Sequence, residues 1–483
     1  MRRTFLTNLA LVLVLNLLVK PFYILGIDAE VQERAGAEEY GGYAALLSFS
    51  FLLNILLDLG ITNHNTRLVA QDANALRERL GAVLGIRALL AVVYVVVSCV
   101  VGVAIGYDRA QFGVLGVLLL NQVLAMTLLY LRSNIAGAQR YVQDSLLSVL
   151  DRVLLIGICA WLLWSGWITC NAFEIEWFIW AQTAAYGAAV LVALFMVRGL
   201  GARVVPSWSP QRIVPVLRES IPYAVLVLLM TVYYRIDTVL LERLLPDGAA
   251  QAGIYAQGFR FFEALNMLGF LFAGLLLPMF SKLLKEGGDA TGLAALGWRL
   301  MVAGCVPVAV AGAWWGREVL ELRYDHVTDN AAMAFSLLMC AFSAVGTTYI
   351  FGTLLTARGD LKALNRMAFG GVVLSLAINA LLIPRLGAVG AGIACLATQG
   401  ATAAVQVFLS VRALRMRIPW GEVARAVGYV LGALLAAWGL ARSGWGIVPV
   451  LGAFAICCVV LAFGTGFVRL PQVRAFLRPV GRP

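Results

Sequence analysis

Apolar stretches of about twenty residues recur some fourteen times along the chain, separated by short polar connections. They cover residues 5–27, 41–61, 81–106, 112–134, 146–168, 177–197, 220–242, 253–278, 298–320, 331–355, 363–384, 387–411, 423–441 and 446–468. Each approaches the roughly 20 apolar residues that a 30 Å hydrocarbon core requires of a spanning helix. Lipid offers no partners to backbone N–H and C=O groups, so segments of this length are expected to be helices. The pattern predicts an all-α integral membrane protein of about 14 transmembrane helices. The first stretch follows Met1-Arg2-Arg3 in the manner of a signal peptide, but its length, Asn16, Lys20 and the want of a small-residue cleavage site make it a retained helix.

Composition agrees: 61% of residues are hydrophobic and 13% charged, with a mean hydropathy of +0.87, which a soluble chain of this size could not cover with a polar surface. Charge adds an orientation. Most of the 37 Lys and Arg fall in the connections and tails of one side, whereas the 26 Asp and Glu lean to the other. The positive-inside rule makes the cationic side cytoplasmic and places both termini there. The net charge of +11 is then explained by loops facing anionic lipid, and no nucleic-acid partner is needed. Tryptophan gives an independent check. Trp161, Trp164, Trp167, Trp177, Trp180, Trp314, Trp315, Trp438 and Trp445 fall towards outer segment ends, and Trp208, Trp298 and Trp420 towards the cytoplasm, as an interfacial aromatic belt requires.

Little supports covalent chemistry. Cys99, Cys159, Cys170, Cys305, Cys340, Cys395, Cys457 and Cys458 show no C-x-x-C spacing and read as small packing residues. His64 and His326 lie in connections on opposite sides, which leaves no triad or metal site to assemble. The chain is therefore read as a non-enzyme without a metal or cofactor.

The basic connection over 199–218, with Pro206 and Pro210, separates six segments from those that follow. It divides the chain into an N-lobe at 1–198, a cytoplasmic inter-lobe linker at 199–218, a C-lobe at 219–413, and a terminal pair of helices with a tail at 414–483. Gly42-Tyr43-Ala44 and Gly253-Ile254-Tyr255-Ala256 open corresponding segments, and Gly137-Ala138-Gln139-Arg140 resembles Thr356-Ala357-Arg358-Gly359. An even number of helices per lobe gives two halves of the same orientation, a parallel repeat.

Candidate chemistry lies where charge enters the apolar segments: Lys20, Arg87, Arg152, Arg235 and Arg260, with Asp58, Asp151, Asp237 and Glu263 as acidic counterparts. Arg132 can snorkel from a cytoplasmic helix end. A cation at a helix centre costs about 2.5–3.5 kcal/mol on insertion scales, so these side chains are expected to face one another or a wet cavity rather than lipid. Arg260 and Glu263 share a helix face at i,i+3 and can form a local ion pair. Asp151 and Arg152 are adjacent and Arg235 and Asp237 two apart, spacings that point each member of a pair away from the other and demand partners from elsewhere. Two readings follow: ion pairs across helices, or a cationic cavity for an anionic substrate. For Lys20, beside Pro21, snorkelling to the outer interface competes with the second.

The run Ile383-Pro384-Arg385-Leu386-Gly387-Ala388-Val389-Gly390-Ala391-Gly392-Ile393-Ala394 resembles a signature between two late helices of polysaccharide flippases in the multidrug/oligosaccharidyl-lipid/polysaccharide (MOP) exporter superfamily. Arg235-Ile236-Asp237, the stretch 253–260, and Leu276-Leu277-Pro278 with Ser281 add to the likeness. The stretch 26–67, with Gly36-Ala37-Glu38-Glu39-Tyr40-Gly41 and Asp58-Leu59-Gly60-Ile61-Thr62-Asn63, is similar to the Wzx-type branch. The resemblance implies two six-helix lobes around a central cavity of alternating access, plus two C-terminal helices. Its implied function is flipping an undecaprenyl-diphosphate-linked oligosaccharide, a surface polysaccharide or lipopolysaccharide O-antigen repeat unit, to the outer leaflet of a bacterial inner membrane. Arg87, Arg152, Arg235, Arg260 and Lys20 would then receive the diphosphate. Asp58, Asp237 or Glu263 would serve a coupling proton or sodium ion, or act as counter-ions, and Pro21, Pro222 and Pro307 would permit helix bending. Implied partners are the lipid-linked glycan, membrane lipid and the polysaccharide assembly machinery, with a monomer as the working state. Three other classes compete: a peptidoglycan lipid-precursor flippase, a cation-coupled multidrug antiporter with twelve helices and acidic sites, and a non-transporting membrane scaffold.

Overall fold

The structure, a computed structural model, describes residues 15, 16, 18–62, 74–166, 173–200, 210–415 and 420–469; within these, only the backbone path is described for 74–79, 82, 141, 210–220 and 420. Helices account for the described chain, and no β-strand occurs among these residues. Residues 18–22 are α-helical and lead into a π-helix, Tyr23–Asp28. The α-helices that follow are α1 (Ala29–Leu52), α2 (Asn74–Ala104), α3 (Arg109–Gly137), α4 (Tyr141–Trp164), α5 (Ile175–Gly199), α6 (Pro210–Leu244), α7 (Gly248–Glu286), α8 (Ala290–Trp314), the short α9 (Gly316–Glu321), α10 (Asp329–Arg358), α11 (Leu361–Leu414), α12 (Trp420–Leu440) and α13 (Ile447–Gly464). Among the described residues, 11 helices are long and apolar enough to cross a membrane. One of these, α11, is two helices joined at a kink, where Gly387 takes a φ of 54° after Pro384. The multi-pass helical class expected from the pattern holds. Residues 5–14 and 17 of the first apolar segment lie outside the described residues.

Local chemistry explains several helix ends. Asp108 accepts from the Gln111 backbone N–H while the Gln111 side chain accepts from Asp108 N–H, a reciprocal capping box that opens α3. Thr328 caps α10 through the Ala331 N–H, and Gly359, at a left-handed φ of 87°, ends it.

Three boundaries differ from the sequence reading. The acidic stretch 28–40, expected as an outer loop, is helical: Glu30 and Arg34 pair at i,i+4 (3.0 Å), Arg34 donates to the Leu163 carbonyl, and only Gly36, at a φ of 80°, interrupts α1. The segment expected to run to residue 61 instead leaves the α-helix at Leu52 for a 3-10 turn, Asn54–Leu57, followed by positive φ at Leu59 and Gly60. Asp58 therefore sits at a chain reversal. Pro278, expected to close its helix, is carried inside α7, which continues to Glu286. Its missing N–H is a loss that a long helix can absorb locally.

The chain forms two compact units, residues 1–256 and 257–483. Of the linker expected over 199–218, residues 201–209 lie outside the described set and the remainder from Pro210 opens α6.

The first unit has a core of Tyr40, Tyr43, Phe49, Leu115, Leu118 and Phe178 among others. Polar side chains cross-link its helices. Gln182 donates to the Tyr43 hydroxyl (2.7 Å), Thr183 to Asn121 (2.7 Å) and Tyr94 to the Ser50 carbonyl (2.7 Å). In a hydrocarbon surround such bonds replace partners that water would otherwise supply. Helix α1 also meets the opening turns of α7 backbone to backbone. A Cβ on Gly41 would run into the Ala249 carbonyl, and one on Gly253 into the Ala37 carbonyl. Gln32 donates to the Gly253 carbonyl across the same crossing (2.8 Å). Gly253→Val is thus expected to cost about 1–3 kcal/mol through overpacking, read as a lower Tm of the purified protein, whereas Gly42→Ala, where a methyl group meets nothing, should leave Tm unchanged or slightly raised.

In the second unit, α12 and α13 pack on α8. Tyr429 donates to the Ala303 carbonyl (2.9 Å), and Trp315 meets Phe454 edge to face at 5.4 Å. Trp315 is buried, unlike the interfacial side chain the belt pattern expects, because α13 covers it. The belt residues Trp161, Trp164, Trp177, Trp180, Trp314, Trp438 and Trp445 are exposed; Trp167 is outside the described residues. Large apolar side chains such as Leu191, Phe195, Phe270, Leu435 and Val448 also stand exposed, a surface suited to lipid rather than water.

Candidate functional site

The intramembrane charges occupy four separate environments. The first is Arg87 of α2. It is buried and donates to Asp58 Oδ1 (2.6 Å), to Thr62 Oγ1 (3.3 Å) and to the Met126 carbonyl of α3 (2.6 Å). Its guanidinium lies 5.0 Å from the Tyr130 ring centroid. Asp58 in turn accepts from the Thr62 backbone N–H (3.2 Å) and from the Thr62 hydroxyl. The chain reversal after α1 presents that carboxylate to α2. Such a pair, with hydrogen bonds on both partners, is the arrangement that makes a buried ion pair tolerable.

The second environment gathers Lys20, Arg132, Asp144, Asp151 and Arg152. Arg152, on α4, lies 4.6 Å from the ring centroid of Tyr23 and 5.6 Å from that of Tyr186 on α5. Asp151 is its carboxylate contact, at 3.6 Å. The adjacent pair expected to diverge therefore does approach, although at a distance well beyond a charge-assisted hydrogen bond. Lys20 is half-buried and lies in electrostatic range of Arg152, Asp151 and Arg132. Arg132 pairs with Asp144 at 2.8 Å. Three cations and two carboxylates are thus held within one helical unit, with tyrosine faces against the central arginine. Ring faces attract a cation without neutralising it.

Arg235 and Asp237 form the third environment. Arg235, on α6, lies 4.3 Å from the Phe51 ring centroid of α1 and 5.8 Å from that of Tyr234. Asp237 is buried and accepts from the Tyr255 hydroxyl (3.1 Å). Phe51 and Tyr255 come from other helices, as the spacing expected. The fourth is in the second unit, where Arg260 and Glu263 of α7 pair at 2.6 Å, the local i,i+3 contact legible from spacing.

Sequence reasoning missed two polar features. Asp28, assigned to a loop, is buried at the end of the π-helix and accepts from Tyr40 (3.0 Å), a tyrosine-to-carboxylate bond like that of Tyr255 and Asp237. Arg243, at the end of α6, pairs with Glu242 and donates to Gln111 Oε1 (3.0 Å) and the Gly106 carbonyl (3.1 Å). Gln111 donates to Glu242 (2.8 Å), and the Arg243 guanidinium covers the Tyr107 ring at 4.5 Å. Burial, with Glu242 adding, raises the pKa of the Tyr107 phenol, which keeps it neutral. The signal that could have found this cluster is the Asp108-x-x-Gln111 cap. Among the described residues no group of His, Cys, Asp and Glu is placed to hold a metal ion.

These observations define a multi-pass helical membrane protein with an apolar lipid-facing surface and aromatic-lined cations inside it. Residues 34–284 match the family described as polysaccharide biosynthesis protein, and the chain belongs to that family. No curated protein matches it in sequence. Among solved structures, the inward-closed lipid II flippase MurJ is similar over 97% of this chain and 99% of its own, with a TM-score of 0.65 at 10% identity. An inward-facing multidrug resistance MATE family transporter of the MOP superfamily gives 0.62 at 12% identity, covering 81% of this chain and 94% of that one. A mutant of the Vibrio cholerae MATE transporter VcmN gives 0.58 at 14% identity, covering 85% and 97%. The fold is the one these flippase and transporter structures share.

Proposed function

We propose that the protein is a flippase of the Wzx type, which moves an undecaprenyl-diphosphate-linked oligosaccharide from the cytoplasmic to the outer leaflet by alternating access of the two lobes. The observation that carries this reading is Arg152, set against the rings of Tyr23 and Tyr186 within the helices of a chain whose family is named for polysaccharide biosynthesis. A diphosphate dragged through hydrocarbon needs cations that are themselves held in place, and Arg152 between tyrosine faces can offer guanidinium N–H groups to phosphate oxygens. Arg235, with its guanidinium against Phe51, is a second contact for the headgroup. Arg87 and Arg260 have strong carboxylate partners and would need to exchange those for substrate. Asp58 and Glu263 pair with Arg87 and Arg260, and Asp237 accepts from Tyr255, so a coupling proton or sodium ion would have to compete with those partners for the carboxylates.

One observation favours a second reading: the fold likeness to MurJ extends over nearly the whole chain. A peptidoglycan lipid precursor also carries a diphosphate, so the two readings share the cation site and differ in the glycan. Liposomes containing only this protein, loaded in turn with undecaprenyl-diphosphate oligosaccharide, lipid II and a fluorescent organic cation, with and without a proton or sodium gradient, separate the classes. Protein-dependent movement of the oligosaccharide lipid is expected. Movement of lipid II alone would assign the precursor flippase, and gradient-driven loss of the organic cation alone would assign an antiporter.

A further inference from the structure

The first helical run changes its hydrogen-bonding register beside the cation cluster. Residues 18–22 are α-helical, Tyr23–Asp28 form a π-helix, and α-helix resumes at Ala29. A π-turn holds more residues per turn than an α-turn, and such turns inside α-helices are rare and concentrate at functional sites. This one separates two sets of anchors. Upstream, Asn16 donates to Ser148 of α4 (3.1 Å), and Lys20 lies in electrostatic range of Arg152, also on α4. Tyr23, the first residue of the π-turn, presents its ring to the Arg152 guanidinium. Downstream, Asp28 is tied to Tyr40 (3.0 Å) and Gln32 to Gly253 (2.8 Å).

An α-helix turns about 100° and rises about 1.5 Å per residue. If the π-turn relaxes to α-helix while the downstream anchors hold, everything upstream rotates by one residue, and Lys20 leaves the side of the helix that faces Arg152. Local composition lowers the barrier to this change. Pro21 lacks the N–H that would bind the preceding turn, and Gly26, in the middle of the π-turn, weakens helix of either kind. Leu18 and Phe22, four apart and both exposed, form an apolar face that can slide against lipid at little cost. Asn16 and Ser148 meet through a neutral hydrogen bond, a weaker tie than a charge-assisted one.

We propose that the π-helix Tyr23–Asp28 is a register switch that brings Lys20 and Tyr23 against Arg152 to hold an anionic lipid headgroup and withdraws them to release it. Tyr23 is a positioning residue in this scheme, acting through Arg152. The inference rests on the flippase reading for its ligand, but its test reads the register itself. In an Asn16→Cys/Ser148→Cys variant, mild oxidation should form a disulfide, mapped by mass spectrometry, that holds the upstream turn in the register described. Flipping by the oxidised variant should fall at least about tenfold below that of the same sample after reduction. Deleting Leu25 from the double-cysteine variant removes the extra residue of the π-turn, so unbroken α-helix joins the same two sets of anchors: the 16–148 cross-link should still form, and flipping by the reduced protein should fall at least about tenfold because the register can no longer change. Equal flipping before and after reduction would overturn the switch and leave the flippase assignment standing. If the unmodified protein moves no lipid-linked glycan at all, the function fails. The switch is then read from the cross-linking rate with and without undecaprenyl diphosphate: a change of at least about threefold supports it, and no change overturns it.

Discussion

Arg152→Gln, in protein that inserts at normal yield, is expected to lower flipping of a diphosphate-linked lipid by at least about a hundredfold. The estimate takes two charge-assisted hydrogen bonds to phosphate at about 1.5–3 kcal/mol each, with each 1.4 kcal/mol worth about tenfold. The glutamine removes the charge but keeps a polar, if shorter, side chain beside Tyr23, Tyr186 and Asp151, so folding should be little affected. Arg152→Lys should retain more activity, since an ammonium keeps the charge but cannot bind two phosphate oxygens in one plane. Initial flipping rates in liposomes over a range of lipid content check both. Equal rates in wild type and the glutamine variant would remove Arg152 from the site.

The second large effect falls on stability. Asp58→Asn leaves the buried Arg87 guanidinium without its carboxylate, retaining the Met126 carbonyl and the Thr62 hydroxyl. Removing one member of a buried ion pair costs about 3–5 kcal/mol, because the remaining charge keeps its desolvation penalty. The expected outcome is a markedly lower Tm and poor recovery in detergent. Adding Arg87→Met to the same chain should restore a substantial part of the loss, because a neutral, unbranched apolar side chain removes the stranded charge. A double variant no better than the single would show that the Asp58 carboxylate matters through Thr62 and the chain reversal rather than through Arg87.

The same residues show what could be read beforehand. The helical multi-pass class follows from apolar length, because hydrocarbon imposes helical hydrogen bonding on each segment. Arg260 and Glu263 were legible as a pair because i,i+3 fixes their common face within one helix. Asp58 and Arg87 could be named as candidates but not joined, since the contact depends on a 3-10 turn and a left-handed Leu59 that leave no apolar periodicity behind. Asp28 was hidden for a related reason. The charged run 28–40 resembles a loop, and what makes it helical is tertiary: Arg34 reaches the Leu163 carbonyl, and Glu39 accepts from the Ile175 backbone N–H at the start of α5 (2.7 Å). The aromatic partners of Arg152 and Arg235 were equally out of reach, because Tyr23, Tyr186 and Phe51 look like ordinary membrane-helix residues until the packing brings them to a cation. Gly42 and Gly253 stood out as openings of similar segments, but the close backbone approach is made by Gly41 and Gly253 and is visible only once the two helices cross.

The central claim is that the Lys20 and Arg152 cluster receives a diphosphate, and binding tests it more directly than transport. Purified protein should be titrated with undecaprenyl diphosphate and, in parallel, with undecaprenol, in wild type and in a Lys20→Gln/Arg152→Gln variant at two salt concentrations. The diphosphate is expected to bind wild type at least about tenfold more tightly than the alcohol, with a preference that weakens at high salt and disappears in the variant. Equal affinity for both lipids in wild type, or an undiminished diphosphate preference in the variant, would contradict the claim.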